Sequence, residues 1–227
     1  MRLIDTHSHL FLEEFSEDLP QVIERARSAG VTHIFMPNID STTIDSMLSV
    51  CNTYNDYCFP MIGLHPTSVN ADYEKELEIV ARELRSFNKY IAIGEVGMDL
   101  YWDKTFLKEQ QIVLDKQINW ALEYDLPVVI HCRDAFGYIY NVLEPYKNTS
   151  LKGVFHSFTG TDDEAARILE FSGFLIGING VVTFKKSRLP EVLTKIPLEK
   201  IVLETDSPYL TPVPNRGKRN ESAYVKD

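Results

Sequence analysis

Within its first ten residues the chain carries His7 and His9, two imidazoles spaced i and i+2 at the end of the apolar run that begins at Leu3. Residues two apart on a β-strand project from the same face. His7 and His9 therefore aim at one spot beyond the strand's end. Neutral imidazole is a common ligand for zinc, manganese and similar ions, and a rigid strand would hold such a pair ready. Taken alone, the pair reads more readily as two satisfied histidines near a core edge than as metal ligands.

The other chemistry-bearing residues repeat that placement. His65, His131 and His156 each follow an apolar run, as does Asp206 in Leu203-Glu204-Thr205-Asp206-Ser207-Pro208. Glu95 stands in Ile93-Gly94-Glu95-Val96-Gly97, at the end of another. Of the six histidines only His33 lies inside a run, between Thr32 and Ile34, and it reads as a packing residue. Glu204 and Thr205 are expected to orient Asp206, Asp99 to serve as a turn or supporting carboxylate, and Glu13 and Glu14 to form a solvated turn.

These residues meet only if the runs are neighbouring parallel strands. The sequence predicts strands over 3–6, 31–36, 59–64, 90–96, 127–132, 153–158, 174–179 and 200–204. Amphipathic helices over 19–29, 41–54, 73–87, 104–124, 134–143, 162–171 and 189–196 separate them, the first ended by Gly30 as a left-handed cap. Strict alternation implies βαβ units and a parallel sheet. The expected fold is α/β, a TIM-like (β/α)8 barrel in one domain over residues 1–227, rather than a doubly wound sheet. Active sites of such barrels gather at the strands' C-terminal ends, which is where the histidines and carboxylates fall. Residues 207–227 read as a long loop where an eighth outer helix is due, so the expectation is a truncated chain or a barrel one helix short.

With 44% hydrophobic and 25% charged residues the chain has the composition of a soluble globular protein. A net charge of -10 argues against a broad basic face for duplex binding. It leaves room for a nuclease, because bound divalent cations reverse the local charge. Three cysteines, Cys51, Cys58 and Cys132, form no paired framework and suggest free thiols in a reducing compartment. Neither a signal peptide nor an apolar run of about 18 residues is evident, so a cytoplasmic protein without a membrane partner is expected.

The motifs resemble, in order, those of the TatD family of metal-dependent deoxyribonucleases in the amidohydrolase-like barrel superfamily. They are Asp5-Thr6-His7-Ser8-His9-Leu10, Gly63-Leu64-His65-Pro66, Gly94-Glu95-Val96-Gly97-Met98-Asp99, His131-Cys132-Arg133-Asp134-Ala135, His156-Ser157-Phe158-Thr159-Gly160 and Glu204-Thr205-Asp206-Ser207-Pro208-Tyr209-Leu210. Met98 and Cys132 replace commoner family residues, Ser222 stands where proline is usual, and the family's further C-terminal helix is missing. The resemblance implies that His7, His9, Glu95 and Asp206 hold one divalent metal. It implies that Glu95, bridging, holds a second with His131 and His156. Mixed nitrogen and oxygen ligands suit Mg, Mn or Zn.

On this reading the chain is a two-metal phosphodiesterase, a deoxyribonuclease that trims single-stranded or frayed DNA ends and extends to RNA. The resemblance, not the residues, implies the 3′-to-5′ direction. Asp206 is expected to accept the proton of the attacking water, with Glu95 bridging and His65 and Arg133 on the phosphate. Lys185, Lys186, Arg188, Arg216, Lys218 and Arg219, after the last two strands, suggest a basic lip, with Lys218 and Arg219 as substrate contacts. Tyr101, Trp102, Phe136 and Phe184 are placed to stack on unpaired bases or merely to pack. A metal-dependent amidohydrolase or aminoacyl-tRNA deacylase on the same site is the alternative. Glu95 stands where many such barrels carry a modified lysine, which favours the nuclease branch.

Overall fold

Eight short segments form the strands: β1 (Leu3–Asp5), β2 (Val31–Pro37), β3 (Cys58–Met61), β4 (Ile93–Asp99), β5 (Val128–Arg133), β6 (Gly153–Phe155), β7 (Phe174–Ile178) and β8 (Ile201–Leu203). Every pairing is parallel. The computed structural model describes residues 2–86 and 89–227. Continuous ladders run through β1-β2-β3 and through β4-β5-β6-β7-β8. Single bridges, Ile62 to Ile93 and Ser8 to Ser207, join their edges and close the cylinder. The expected TIM-like barrel is the observed fold.

The helices lie where the apolar periodicity puts them: α1 (Leu19–Ser28), α2 (Ile44–Thr53), α3 (Tyr73–Ser86), α4 (Leu107–Glu123), α5 (Phe136–Leu143), α6 (Asp162–Leu169) and α7 (Leu189–Leu193). Gly30, with φ 91°, ends the α1 unit in the left-handed region. Thr161 and Glu164 form a reciprocal capping box at the start of α6. Phe87, the last residue of the predicted third helix, lies outside the described residues. No described helix is long and apolar enough to cross a membrane.

The fourth strand differs from expectation in a way that matters for the site. It runs three residues further than predicted, so Glu95 sits within β4 and not at its end. Pairing with β5 carries it on, Gly97 opposite His131 and Asp99 opposite Arg133, after an irregularity between Ile93 and Val96. Gly97, at φ 139°, permits this: a Cβ there would lie 2.0 Å from the His131 carbonyl oxygen. The third, sixth and eighth strands are shorter than predicted, and His65, His156 and Asp206 stand in loop backbone past the ladder.

After β8 the described residues contain no further α-helix. Residues 204–227 run back across β1 and α1 and finish in a 3₁₀ turn, Ser222–Lys226. Arg25 on α1 grips Glu221 with Nε and Nη2 at 2.6–3.0 Å. Asn220 donates to the carbonyls of Thr205 and Tyr209 at 2.8 and 2.6 Å. Ser222, fully buried, reaches the Ser8 hydroxyl at 3.4 Å. The tail is thus pinned beside β1, while Ile4 and Leu203 stay exposed on that side of the barrel.

Helix α4 positions two strand ends by amide clamps. Gln110 accepts from the Asp99 N–H at 3.0 Å and donates to the Asp99 carbonyl at 3.2 Å. Gln117, two turns on, makes the same pair with Leu64 at 2.7 and 3.2 Å. Both glutamines are buried, so each replaces water for two backbone groups that no ladder satisfies. Gln117→Ala should leave two buried groups unpaired and destabilise the fold by about 2–4 kcal/mol. Urea unfolding tests this, and a loss below ~1 kcal/mol would mean the clamp is dispensable.

Candidate metal centre

Six of the eight barrel strands deliver polar groups to a common floor. His7 and His9 enter from β1, His65 from β3, Glu95 from β4, His131 from β5, His156 from β6 and Asp206 from β8. Glu95 lies at their centre and is 2% exposed. Its Oε2 lies 3.1 Å from His7 Nε2 and 3.7 Å from His9 Nε2. Its Oε1 lies 2.8 Å from His131 Nδ1, 3.4 Å from His65 Nε2 and 3.7 Å from His156 Nε2. Asp206 Oδ1 closes the other side, 3.6–3.9 Å from Nε2 of His9, His156 and His7. Asp206 adopts φ 57°, a left-handed turn held by its N–H donating to the His7 carbonyl at 2.9 Å.

All six residues proposed from sequence as ligands come together here, and His65 joins them. Three donor groups are compact: His7, His9 and Glu95; His7, His156 and Asp206; and His65, Glu95 and His131. His65 also caps the 3₁₀ turn Pro66–Ser68, accepting from the Thr67 N–H at its Nδ1, which leaves Nε2 aimed at Glu95. The sequence places His65 on the phosphate; the fold also sets it beside Glu95 and His131.

A second layer of carboxylates sets the rings. Asp99 Oδ2 lies 3.0 Å from His131 Nε2, turning Nδ1 toward Glu95. Glu204 Oε1 lies 3.0 Å from His156 Nδ1 and accepts the Ser157 N–H at 2.5 Å. Gly177 makes space for it, since a Cβ there would meet Glu204 Oε2 at 2.5 Å. Glu204 was expected to orient Asp206; it orients His156 instead. Thr205 likewise faces Asp5, donating its N–H and hydroxyl at 2.9 and 2.7 Å. Asp5 is a strut the sequence reading missed, although its i−2 spacing from His7 put it on the same face.

The donor set demands positive charge. Burial would raise the Glu95 carboxyl, but His65, His7 and His156 around it hold it well below the usual range. Burial would likewise raise Asp206, and chiefly His156 and His9 lower it. Burial opposes a charge on His131, yet Asp99 and Glu95 push it up to about 9. Burial opposes a charge on His156 too, and Glu204, Glu95 and Asp206 raise it to about 10. His7 and His65 are lowered, by burial first, and stay neutral. Yet the His7 and His156 rings stack at 3.4 Å, and His7 Nε2 meets His9 Nε2 at 3.2 Å. Imidazoles crowded this closely around two carboxylates fit divalent cations better than protons.

Above this floor opens a cavity of 620 Å³, whose rim includes Trp102, Arg133 and Tyr209. Arg133, two residues past His131, lays its guanidinium 3.9 Å from the Tyr101 ring centre and 5.4 Å from that of Trp102. Lys218 and Arg219 do not line the cavity. Lys218 is exposed beyond it, and Arg219 is held by Asp18 at 2.8 Å and by the Glu14 carbonyl, over the Phe15 ring. Those acceptors, far away in sequence, draw Arg219 out of the expected basic lip. Arg216 stacks on Phe184 at 4.0 Å, and Phe136 lines a neighbouring cavity. His33 packs against Phe59 at 5.4 Å, as read.

Because His131 and His156 hold protons up to about 9 and 10, metal loading near neutral pH must expel them. Apparent affinity should therefore climb with pH toward those values, and calorimetry in buffers of differing ionisation heat should count released protons. Buffer-independent heats would overturn this. Glu95→Ala should abolish bound divalent metal in elemental analysis; wild-type stoichiometry would remove Glu95 from the ligand set.

Comparison with known proteins identifies the family. Residues 4–227 match the TatD_DNase family, described as TatD related DNase. The chain is 39% identical to the "Uncharacterized metal-dependent hydrolase YabD" of Bacillus subtilis, covering 99% of this chain and 87% of that one. It is 32% identical to the "3'-5' ssDNA/RNA exonuclease TatD" of Pantoea ananatis, over 98% of this chain and 87% of that one. Among solved structures, the TatD homologue YjjV of Escherichia coli superposes with a TM-score of 0.89 at 32% identity, over 99% of this chain and 86% of that one. The motif order, the barrel and the match over nearly the whole length lead to one conclusion: the chain belongs to the TatD related DNase family.

Proposed function

We propose that this protein is a metal-dependent hydrolase of phosphodiester bonds, an exonuclease on single-stranded or frayed DNA ends that also accepts RNA. The observation that carries this reading is Arg133. A guanidinium, laid over the exposed Tyr101 ring beside Trp102, stands at the rim of a cavity floored by imidazoles and carboxylates. A phosphodiester needs that combination, since guanidinium pairs with phosphate in a fixed geometry and the rings offer a face to an unpaired base. The relative in Pantoea ananatis, by its name a 3'-5' ssDNA/RNA exonuclease, supports the substrate class and the 3′-to-5′ direction.

In this reading His7, His9, Glu95 and Asp206 hold one divalent ion and Glu95, His131 and His156 a second, with His65 close enough to share the latter. Such a pair, Mg, Mn or Zn, supplies Lewis acidity toward the phosphoryl group. The chain's own residues do the rest. Asp206, the site carboxylate with 15% of its side chain exposed, is accessible to water and takes the proton of the attacking water. His65 and Arg133 bind the phosphate and steady its developing charge. Lys218 contributes only at a distance, and Arg219 takes no part.

Asp206→Asn keeps the shape and loses the proton affinity, so turnover on oligonucleotides should fall at least ~100-fold with an unchanged circular dichroism spectrum. Near-normal turnover would mean another group accepts the proton. Arg133→Ala should raise KM for single strands and flatten the slope of log affinity against log salt by about 0.7. The reading itself is tested by supplying Mg, Mn or Zn and offering labelled single strands, duplexes, amides and aminoacyl esters. Cleavage of amides or esters with no action on oligonucleotides would overturn it.

A further inference from the structure

Trp102 is 75% exposed and Tyr101 52%, two adjacent aromatic rings open to solvent beside the cavity that holds the donor cluster. They do not lie loosely on their loop. Asp99 Oδ1 accepts the Tyr101 N–H at 3.1 Å while its Oδ2 holds His131 at 3.0 Å. Gln110 clamps the Asp99 backbone in turn. One carboxylate therefore fixes the aromatic pair in register with the imidazole beside Glu95. The two rings meet edge to face at 4.7 Å, and Arg133 covers the Tyr101 face at 3.9 Å. That leaves Trp102, lining the cavity mouth, as the ring open to a ligand.

We infer that Trp102 is the stacking platform for the unpaired base next to the scissile phosphate, with Tyr101 and Arg133 bracing it. The inference rests on the phosphodiesterase reading and deepens it by naming what selects single strands. An unpaired base can leave its neighbours and lie on the indole, whereas a paired base is kept in the duplex stack. The contact is indifferent to base identity because every base has a π-face. Arg133 then sits where a phosphate one linkage from that base would meet its free N–H groups.

The test uses tryptophan fluorescence, since the only other tryptophan, Trp120, lies half-buried on α4 and can be replaced. In a Trp120→Phe background, a phosphorothioate oligothymidylate that resists cleavage should quench Trp102 as it binds, while an abasic oligomer of equal length and charge should not. Trp102→Ala should weaken oligothymidylate binding, measured by anisotropy, about 5- to 150-fold and leave abasic binding unchanged. Trp102→Phe should recover much of the loss, which a merely structural role would not predict. If both oligomers bind equally and Trp102 stays silent, the platform falls and the phosphodiesterase reading stands. If neither oligomer binds at all, that reading falls and the platform with it.

Discussion

A carboxylate at 2% exposure, Glu95, is the constraint around which this barrel is arranged. An unpaired ionised carboxylate at that depth would cost several kcal/mol, so its surroundings must bring compensating groups. Five imidazoles from four strands do so, each within 3.7 Å of one of its oxygens. The compensation is incomplete in protons alone: His131 and His156 are drawn into their charged forms while His7 and His65 are kept neutral. A site poised in this way has a strong electrostatic preference for multivalent cations. The same crowding leaves little room for the rings to rearrange.

Holding so many like groups together requires further support, and the structure provides it in pairs. Asp99 and Glu204 take the outer nitrogens of His131 and His156, which fixes the ring orientation. Asp5, beneath His7, ties the first strand to the loop after the eighth through Thr205. Its carboxyl is pushed up to about 7 by burial, against four hydrogen bonds that favour the charge. Gln110 and Gln117 then lock the backbones on which Asp99 and Leu64 stand. The rim aromatics inherit this rigidity, because Asp99 belongs both to the support of His131 and to the turn that begins at Tyr101.

The closure of the barrel is part of the same arrangement. β8 and β1 share one bridge, Ser8 to Ser207, reinforced by the hydroxyl contact between those serines at 2.6 Å. Asp206 and His7, which face the site, are joined across this seam by a backbone hydrogen bond. Residues 204–227 hold the seam from outside, through Asn220, Glu221 and Ser222. The Ser222 hydroxyl enters this buried polar cluster, 3.4 Å from that of Ser8.

The barrel and the convergence of His7, His9, His65, Glu95, His131, His156 and Asp206 were legible in the sequence, because period and order are local properties. Alternating strand and helix patterns imply a parallel barrel, and such a barrel brings strand ends to one rim whatever the details of packing. The extent of β4 was not legible, since it depends on Gly97 letting the His131 carbonyl approach across the ladder. With the strand ended at Val96, Asp99 could not be placed on the same face as Glu95. Residues 204 and 205 were assigned to the wrong partners for a similar reason: they lie past the last ladder residue, where alternation no longer tells direction. Arg219 shows the limit most plainly. Its charge and loop suggested substrate, but Asp18 and Phe15, about two hundred residues away in sequence, take it, and only the folded chain brings them near.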